Sequence, residues 1–204
     1  RAACGDARMF VKICGLTTYD AVHAAVSAGA DAVGFVFADS PRRVTPDEAA
    51  RLCKDLPGDF VRVAVMRHPS AEEWQAVRER FAPDWLQTDA EDLEALDMPA
   101  GCQPLPVFRS GQITSARHPE RLLFEGPRSG RGEVADWREA ASIAAETQMI
   151  LAGGLDADNV ADAIRTVDPW GVDVSSGVER EPARKDPEKI QLFVARARAA
   201  EKGS

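Results

Sequence analysis

Eight short apolar runs recur along the chain, and stretches with helical periodicity separate them. Most of the runs are nearly continuous in Val, Ile, Leu, Phe and Ala, which is typical of parallel strands covered on both faces. Their positions are Phe10–Cys14, Ala32–Phe37, Phe60–Met66, Trp85–Thr88, Leu105–Arg109, Leu122–Glu125, Met149–Ala152 and Gly171–Val174. The pattern predicts eight parallel β-strands.

Capping signals mark the starts of helices between these runs. Thr45-Pro46-Asp47-Glu48 combines a capping hydroxyl, a proline at the first helical position and an acidic residue three positions after the cap. Similar signals begin at Ser70 and Asp136, and Asp186 precedes the last helix. The weakest helix prediction covers residues 110–120.

Strands that alternate with helices predict an α/β fold with a parallel sheet and right-handed crossovers. Eight units favour a closed (β/α)8 TIM barrel, because closure removes both sheet edges. The alternative, an open flavodoxin-like sheet, usually has five or six strands. We expect a single domain over residues 9–200, and residues 1–8 to be a tag or a disordered N-terminal extension.

Composition narrows the possible partners. The net charge is −8 and the pI about 5.0, which disfavours nucleic acid and anionic membrane surfaces as partners. No apolar run approaches the ~20 residues of a membrane helix. The four cysteines form no CxxC pair, so we expect a reduced, cytoplasmic protein without a metal site. As a separate expectation, we favour a monomer over a homodimer.

In a closed barrel the site forms at the C-terminal ends of the strands. Gly153-Gly154 follows the seventh run and Ser175-Ser176 follows the eighth. Glycine N–H groups, serine hydroxyls and a nearby helix N-terminus are suited to bind phosphate. These two loops are therefore predicted to bind the phosphate of a small-molecule substrate; the alternative is two structural turns.

Cys14 and Glu125 end the first and sixth strands, on different sides of the predicted opening. A thiolate base and a carboxylic acid placed in this way could transfer a proton at a sugar carbon. The alternative is a buried Cys and a Glu that pairs with Arg128 or Arg131.

Two other polar residues are candidates for the same rim. Arg42 could bind a substrate carboxylate with two hydrogen bonds, or it could be a solvated loop residue. Asp136 is a second candidate acid, but its position before Glu139 favours a helix cap.

Several segments together resemble the phosphoribosylanthranilate isomerase family. They appear in the family's order and span nearly the whole predicted domain. They are Val11-Lys12-Ile13-Cys14-Gly15-Leu16-Thr17, the stretch 29–37, Ser40-Pro41-Arg42, Leu151-Ala152-Gly153-Gly154-Leu155 and the stretch 173–179.

The resemblance implies an Amadori rearrangement in tryptophan biosynthesis, without metal or organic cofactor. The ribose ring of N-(5-phosphoribosyl)anthranilate opens and a proton leaves C2, giving 1-(2-carboxyphenylamino)-1-deoxyribulose 5-phosphate. The resemblance places the general base on Cys14, the anthranilate-binding arginine on Arg42 and a substrate-binding aspartate on Asp173. It places phosphate binding on the glycine and serine pairs.

The chain departs from the family pattern in two places. The family usually ends strand six with an Asp as general acid, where this chain has Glu125. The family also commonly has Gln-Leu-His after strand four, where this chain has Gln87-Thr88-Asp89. Alternatives are another phosphosugar barrel, such as an epimerase or the indole-forming synthase of the same pathway, and a ligand-binding barrel without activity.

Overall fold

The computed structural model describes residues 8–111, 118–126 and 136–200. Residues 1–7 of the expected N-terminal extension lie outside this part of the chain, as does most of the weak helix prediction over 110–120. Arg8, the last residue of that extension, donates a hydrogen bond to the carbonyl of Gly29 at 2.7 Å.

Eight parallel strands pair in sequence order, and β1 also pairs with β8, so the sheet closes. This confirms the predicted TIM barrel and rules out the open sheet. The strands are β1 (Phe10–Cys14), β2 (Ala32–Val36), β3 (Val61–Val65), β4 (Trp85–Asp89), β5 (Gln103–Arg109), β6 (Arg121–Glu125), β7 (Gln148–Leu151) and β8 (Gly171–Val174).

Helices cover the outside of the barrel, and four of the six helices in the described residues start directly after the predicted capping residues. They are α1 (Tyr19–Ala28), α2 (Pro46–Leu52), α3 (Ala71–Arg80), α4 (Trp137–Ala144), α5 (Val160–Val167) and α6 (Pro187–Ala199). Thr45 and Ser70 both form complete capping boxes, and Asp136 accepts from the N–H groups of Arg138 and Glu139. Within the described ranges, no helix is long and apolar enough to cross a membrane.

Two connections differ from a regular strand–helix repeat. After β4 the chain forms a 3₁₀ helix, Ala90–Ala95, and Pro99 soon afterwards disfavours further helix because it lacks an N–H group. After β8 a 3₁₀ turn, Ser176–Val178, leads into an antiparallel pair, β9 (Glu179–Glu181) and β10 (Arg184–Lys185), before α6.

Alternation along the strands separates two layers of side chains. In β4, Trp85 packs in the cluster inside the barrel, whereas Leu86 packs in the layer between strands and helices. Gln87 and Asp89 follow Trp85 on the inward face, above the apolar cluster. The sequence therefore places polar side chains inside the barrel only towards its C-terminal end on this strand.

Aromatic rings fill the N-terminal end of the barrel. Phe10 stacks on Trp85 and Trp170 at centroid distances of 5.2 and 4.6 Å. The Arg121 guanidinium lies 4.4 Å from the centroid of Trp85 and 4.9 Å from that of Trp170, which favours a cation–π interaction. Because these side chains fill the N-terminal end, the barrel interior is open at its C-terminal end, where Gln87 and Asp89 lie.

Candidate active site

A cavity of about 230 Å³ opens at the C-terminal ends of the strands. All of the site residues predicted from the sequence line it, together with residues from β3, β4 and β5. The predicted residues are Cys14, Arg42, Glu125, Gly153, Gly154, Asp173, Ser175 and Ser176.

Cys14 lies at the end of β1, and its thiol has charged neighbours beneath it. Lys12, on the same inward face of the strand, is fully buried, and its Nζ donates to Asp173 Oδ1 at 2.8 Å. Burial raises the pKa of the Cys14 thiol, and the Lys12 ammonium opposes that rise. Burial alone would lower the pKa of Lys12, but Asp173 and Cys14 raise it, so Lys12 remains charged.

Gly34 on β2 leaves room for this pair. A Cβ at Gly34 would lie 3.0 Å from Cys14 Sγ and 3.2 Å from Lys12 Nζ. Both distances are tighter than ordinary van der Waals contact, so a larger residue would displace the thiol or the ammonium.

Glu125, at the end of β6, shares an arginine with Asp89 of β4. Arg109 Nη2 lies 2.5 Å from Asp89 Oδ1, and Arg109 Nε lies 3.3 Å from Glu125 Oε1. Arg128 and Arg131, the partners considered for Glu125 from the sequence, lie outside the described residues. The carboxyl group of Glu125 is therefore fixed at the cavity wall by a residue of the neighbouring strand.

His68 contacts Asp89, the carboxylate that pairs with Arg109. Its Nε2 is 3.5 Å from Asp89 Oδ2 and its Nδ1 is 2.9 Å from Asp92 Oδ1. The hydrogen bond to Asp92 raises the pKa of His68. His68, Asp89 and Glu91 are the only residues in the described ranges grouped closely enough to bind a metal ion, but Asp89 is already paired with Arg109.

Arg42 is held against the cavity by Glu179 and is not a solvated loop residue. Its Nε and Nη2 donate to the two carboxylate oxygens of Glu179 at 2.7 and 2.9 Å, and its side chain is only 14% exposed. Gly15 permits this position, since a Cβ there would lie 2.5 Å from Arg42 Cδ.

Lys185 completes the group around Glu179. Its Nζ donates to Glu179 Oε1 and to the Ser175 carbonyl, each at 2.9 Å. Burial lowers the pKa of Lys185, against the effect of Glu179. Burial alone would raise the pKa of Glu179, but the hydrogen bonds from Arg42 and Lys185 lower it, so Glu179 is an ionised anchor.

The loops after β7 and β8 are in direct contact. Gly153 and Gly154 have φ values of 87° and 65°, which are accessible to glycine at little cost. Gly154 accepts a hydrogen bond through its carbonyl oxygen from the Asn159 side chain at 2.8 Å, immediately before α5. A Cβ at Gly177 would overlap the Leu155 carbonyl oxygen. The two loops thus form one concave surface near a helix N-terminus.

Sequence reasoning did not find the roles of Arg109, Glu179 and Lys185 in this site. Arg109 had a usable signal, because it continues the inward positions of Leu105 and Val107 on β5. Glu179 ends the family-like stretch 173–179, but nothing in that stretch indicated its pairing with Arg42. Lys185 had no signal, because β9 and β10 were not predicted. Asp136, the second candidate acid, caps α4 as the sequence indicated.

Comparison with known proteins gives consistent matches. The family model described as N-(5'-phosphoribosyl)anthranilate (PRA) isomerase matches residues 11–196. An N-(5'-phosphoribosyl)anthranilate isomerase of Streptococcus pneumoniae is 41% identical over 191 residues, covering 92% of this chain and 95% of that protein.

Two solved structures extend these matches. TrpF from Jonesia denitrificans is 35% identical with a TM-score of 0.77, covering 95% of this chain and 98% of that one. A phosphoribosyl anthranilate isomerase in complex with reduced 1-(o-carboxyphenylamino)-1-deoxyribulose 5-phosphate is 28% identical with a TM-score of 0.75. That match covers 94% of this chain and 99% of the other.

Proposed function

The chain belongs to the N-(5'-phosphoribosyl)anthranilate isomerase family and is an isomerase of tryptophan biosynthesis, and we propose that Cys14 and Glu125 are its general base and general acid. The family match excludes the epimerase and synthase alternatives. The observation that carries the proposal is that both side chains line one cavity, from β1 and β6.

The reaction needs one proton donor and one proton acceptor. Protonation of the ribose ring oxygen by Glu125 breaks the C1–O bond and opens the ring. Ring opening leaves an iminium at C1, and removal of the C2 proton by Cys14 neutralises it to an enolamine that carries a hydroxyl on C2. The ketone product forms when C1 gains a proton and the C2 hydroxyl loses one. No atoms are gained or lost, so a single acid–base pair is sufficient.

Charged side chains contact both groups. The Lys12 ammonium favours the thiolate form of Cys14 against the opposing effect of burial. Asp89 shares the charge of Arg109 with Glu125, so Arg109 is not committed to Glu125 alone. Asp173 holds Lys12 in place and lines the space for the sugar.

Substrate binding is assigned to three parts of the rim. Glu179 occupies Nε and Nη2 of Arg42, and Nη1 is proposed to donate to the anthranilate carboxylate. Gly153, Gly154, Ser175 and Ser176 are proposed to bind the phosphate through N–H groups and hydroxyls. Carboxylate and phosphate would then be held at separate points, with the ribose between them.

The two catalytic assignments can be tested by measuring the turnover of freshly prepared phosphoribosylanthranilate. The loss of substrate fluorescence reports the reaction. Cys14→Ser and Glu125→Gln should each lower kcat by about 10²–10⁴-fold while still binding the reduced product analogue. Cys53→Ser and Glu120→Gln, which lie away from the cavity, are matched controls and should keep wild-type kcat. A Cys14→Ser or Glu125→Gln enzyme with wild-type kcat would remove that assignment.

We also propose that the protein is a monomer and that it is located in the cytoplasm. Tyr19 and Leu192 are the exposed large hydrophobic residues in the described part of the chain, and such scattered residues favour a monomer. Sedimentation equilibrium tests the monomer, and a dimer mass would contradict it.

The thiols of Cys14, Cys53 and Cys102 are free, which supports a cytoplasmic location. Cell fractionation tests that location.

A further inference from the structure

Gln87 lines the cavity and has a buried side-chain amide oxygen without a partner among the described residues. The residue is 8% exposed and lines the cavity from β4. Its backbone is satisfied, since its carbonyl accepts from the Met66 N–H at 2.9 Å. Its side-chain Oε1, in contrast, has no hydrogen-bond partner among the described residues.

The neighbours of Gln87 in the sheet cannot supply a donor. Its register partners are Val65 on β3 and Leu105 on β5, both of which have aliphatic side chains. An amide oxygen that is buried without a hydrogen bond lowers the stability of the folded protein. A leucine at this position would avoid that cost.

The unpaired amide lies across the barrel from the proposed phosphate loop. The strand order of the closed sheet puts β4 opposite β8. A phosphate bound after β7 and β8 and an anthranilate bound at Arg42 would leave the sugar carbons in the middle of the opening. The hydrogen-bond donors on those carbons are hydroxyl groups, which match an amide oxygen.

We propose that Gln87 is a substrate-binding residue whose side-chain amide oxygen accepts a hydrogen bond from a hydroxyl group of the sugar. This inference rests on the proposed function, because it takes the ribose to lie between the phosphate loops and Arg42. The contact fixes the rotation of the sugar chain and so directs the C2 hydrogen towards Cys14. A few polar groups on an otherwise apolar wall commonly set ligand orientation in this way.

The test measures how tightly wild type and Gln87→Leu bind one probe. The probe is reduced 1-(o-carboxyphenylamino)-1-deoxyribulose 5-phosphate, the reduced product analogue. The variant should bind the analogue about ten- to a hundred-fold more weakly, since a hydroxyl would be left unpaired. Binding of inorganic phosphate should not change. Gln75→Leu, at an exposed position on α3, is the matched control and should leave both affinities at the wild-type value.

A second readout separates binding from a structural role. Because the substitution removes an unpaired amide oxygen, the melting temperature of the ligand-free Gln87→Leu protein should rise, by about 2–4 °C. Gln87→Met, with an unbranched side chain of similar length, should behave in the same way. A fall in melting temperature in both variants would overturn the inference and assign Gln87 to packing.

Analogues that each lack one hydroxyl identify the contact. One of them should lose affinity for the wild type but bind Gln87→Leu as tightly as the full analogue does. Equal binding of the full analogue by wild type and Gln87→Leu overturns the inference while leaving the proposed function intact. Failure of the wild type to turn over phosphoribosylanthranilate would contradict both.

Discussion

Arg42 is oriented by residues that are distant in sequence. Glu179 binds two of its nitrogens, and Lys185 restrains Glu179 in turn while it also bonds the Ser175 carbonyl. A flexible arginine on a loop would lose much side-chain entropy when it bound a carboxylate. The bidentate pair removes that freedom before the substrate arrives, so substrate binding is favoured.

Replacement of Glu179 by Gln should therefore weaken substrate binding more than catalysis. The neutral amide can accept only one of the two N–H donors of Arg42, and Lys185 loses its ion pair. We expect KM to rise about ten-fold with kcat within about two-fold of wild type. Steady-state kinetics measure the two effects separately. Glu181→Gln, which changes an exposed pair with Arg184, is the control; a fall in kcat at constant KM would contradict the orienting role.

At the scale of elements, local signals were enough to predict the strands and most helix starts. Apolar runs located the eight strands, and hydroxyl or carboxylate caps located α2, α3, α4 and α6. The 3₁₀ helix after β4 and the β9–β10 pair were missed. Both are short and polar, and side chains from distant parts of the chain bind them: Arg42 pairs with Glu179, and His68 pairs with Asp92.

The contact between the last two loops gives a prediction for Gly177. Its 3₁₀ turn lies so close to the loop after β7 that an added methyl group would overlap the Leu155 carbonyl. Gly177→Ala should push the loops apart, raise KM and weaken inhibition by inorganic phosphate about ten-fold or more. Overpacking should also lower the free energy of unfolding by about 1–3 kcal/mol.

Gly58→Ala is the matched control for that substitution. A Cβ at Gly58 would meet no atom within 4 Å, so KM, phosphate inhibition and stability should stay near wild type. Urea unfolding and phosphate inhibition measure the two effects. If Gly177→Ala bound phosphate as tightly as Gly58→Ala does, the two loops would not form the phosphate site.

At the scale of the whole molecule, barrel closure explains how much of the site could be predicted. Once eight parallel strands close, the end of every strand belongs to one rim, so Cys14 and Glu125 line one cavity although they are far apart in sequence. The bridge from Arg109 to Asp89 and Glu125 depends on strand register, which the sequence does not reveal. The same holds for the unpaired oxygen of Gln87.

The stability of the whole protein should fall at alkaline pH because of two partly buried thiols, those of Cys53 and Cys102. Burial raises the pKa of Cys53 to about 12 and that of Cys102 to about 11, whereas an unfolded thiol has a pKa of about 8.5. Above that pH the unfolded chain loses protons that the folded protein keeps, so the free energy of unfolding decreases as pH rises. The stabilisation by these two thiols is complete below pH ~8.5 and is lost progressively as the pH rises towards their folded pKa values.

The urea midpoint, measured in reductant between pH 7.5 and 10, tests this prediction. It should fall more steeply for wild type than for the double variant Cys53→Ala/Cys102→Ala, in which Cys14 and both buried lysines still titrate. Parallel slopes would mean that the thiols do not control alkaline stability.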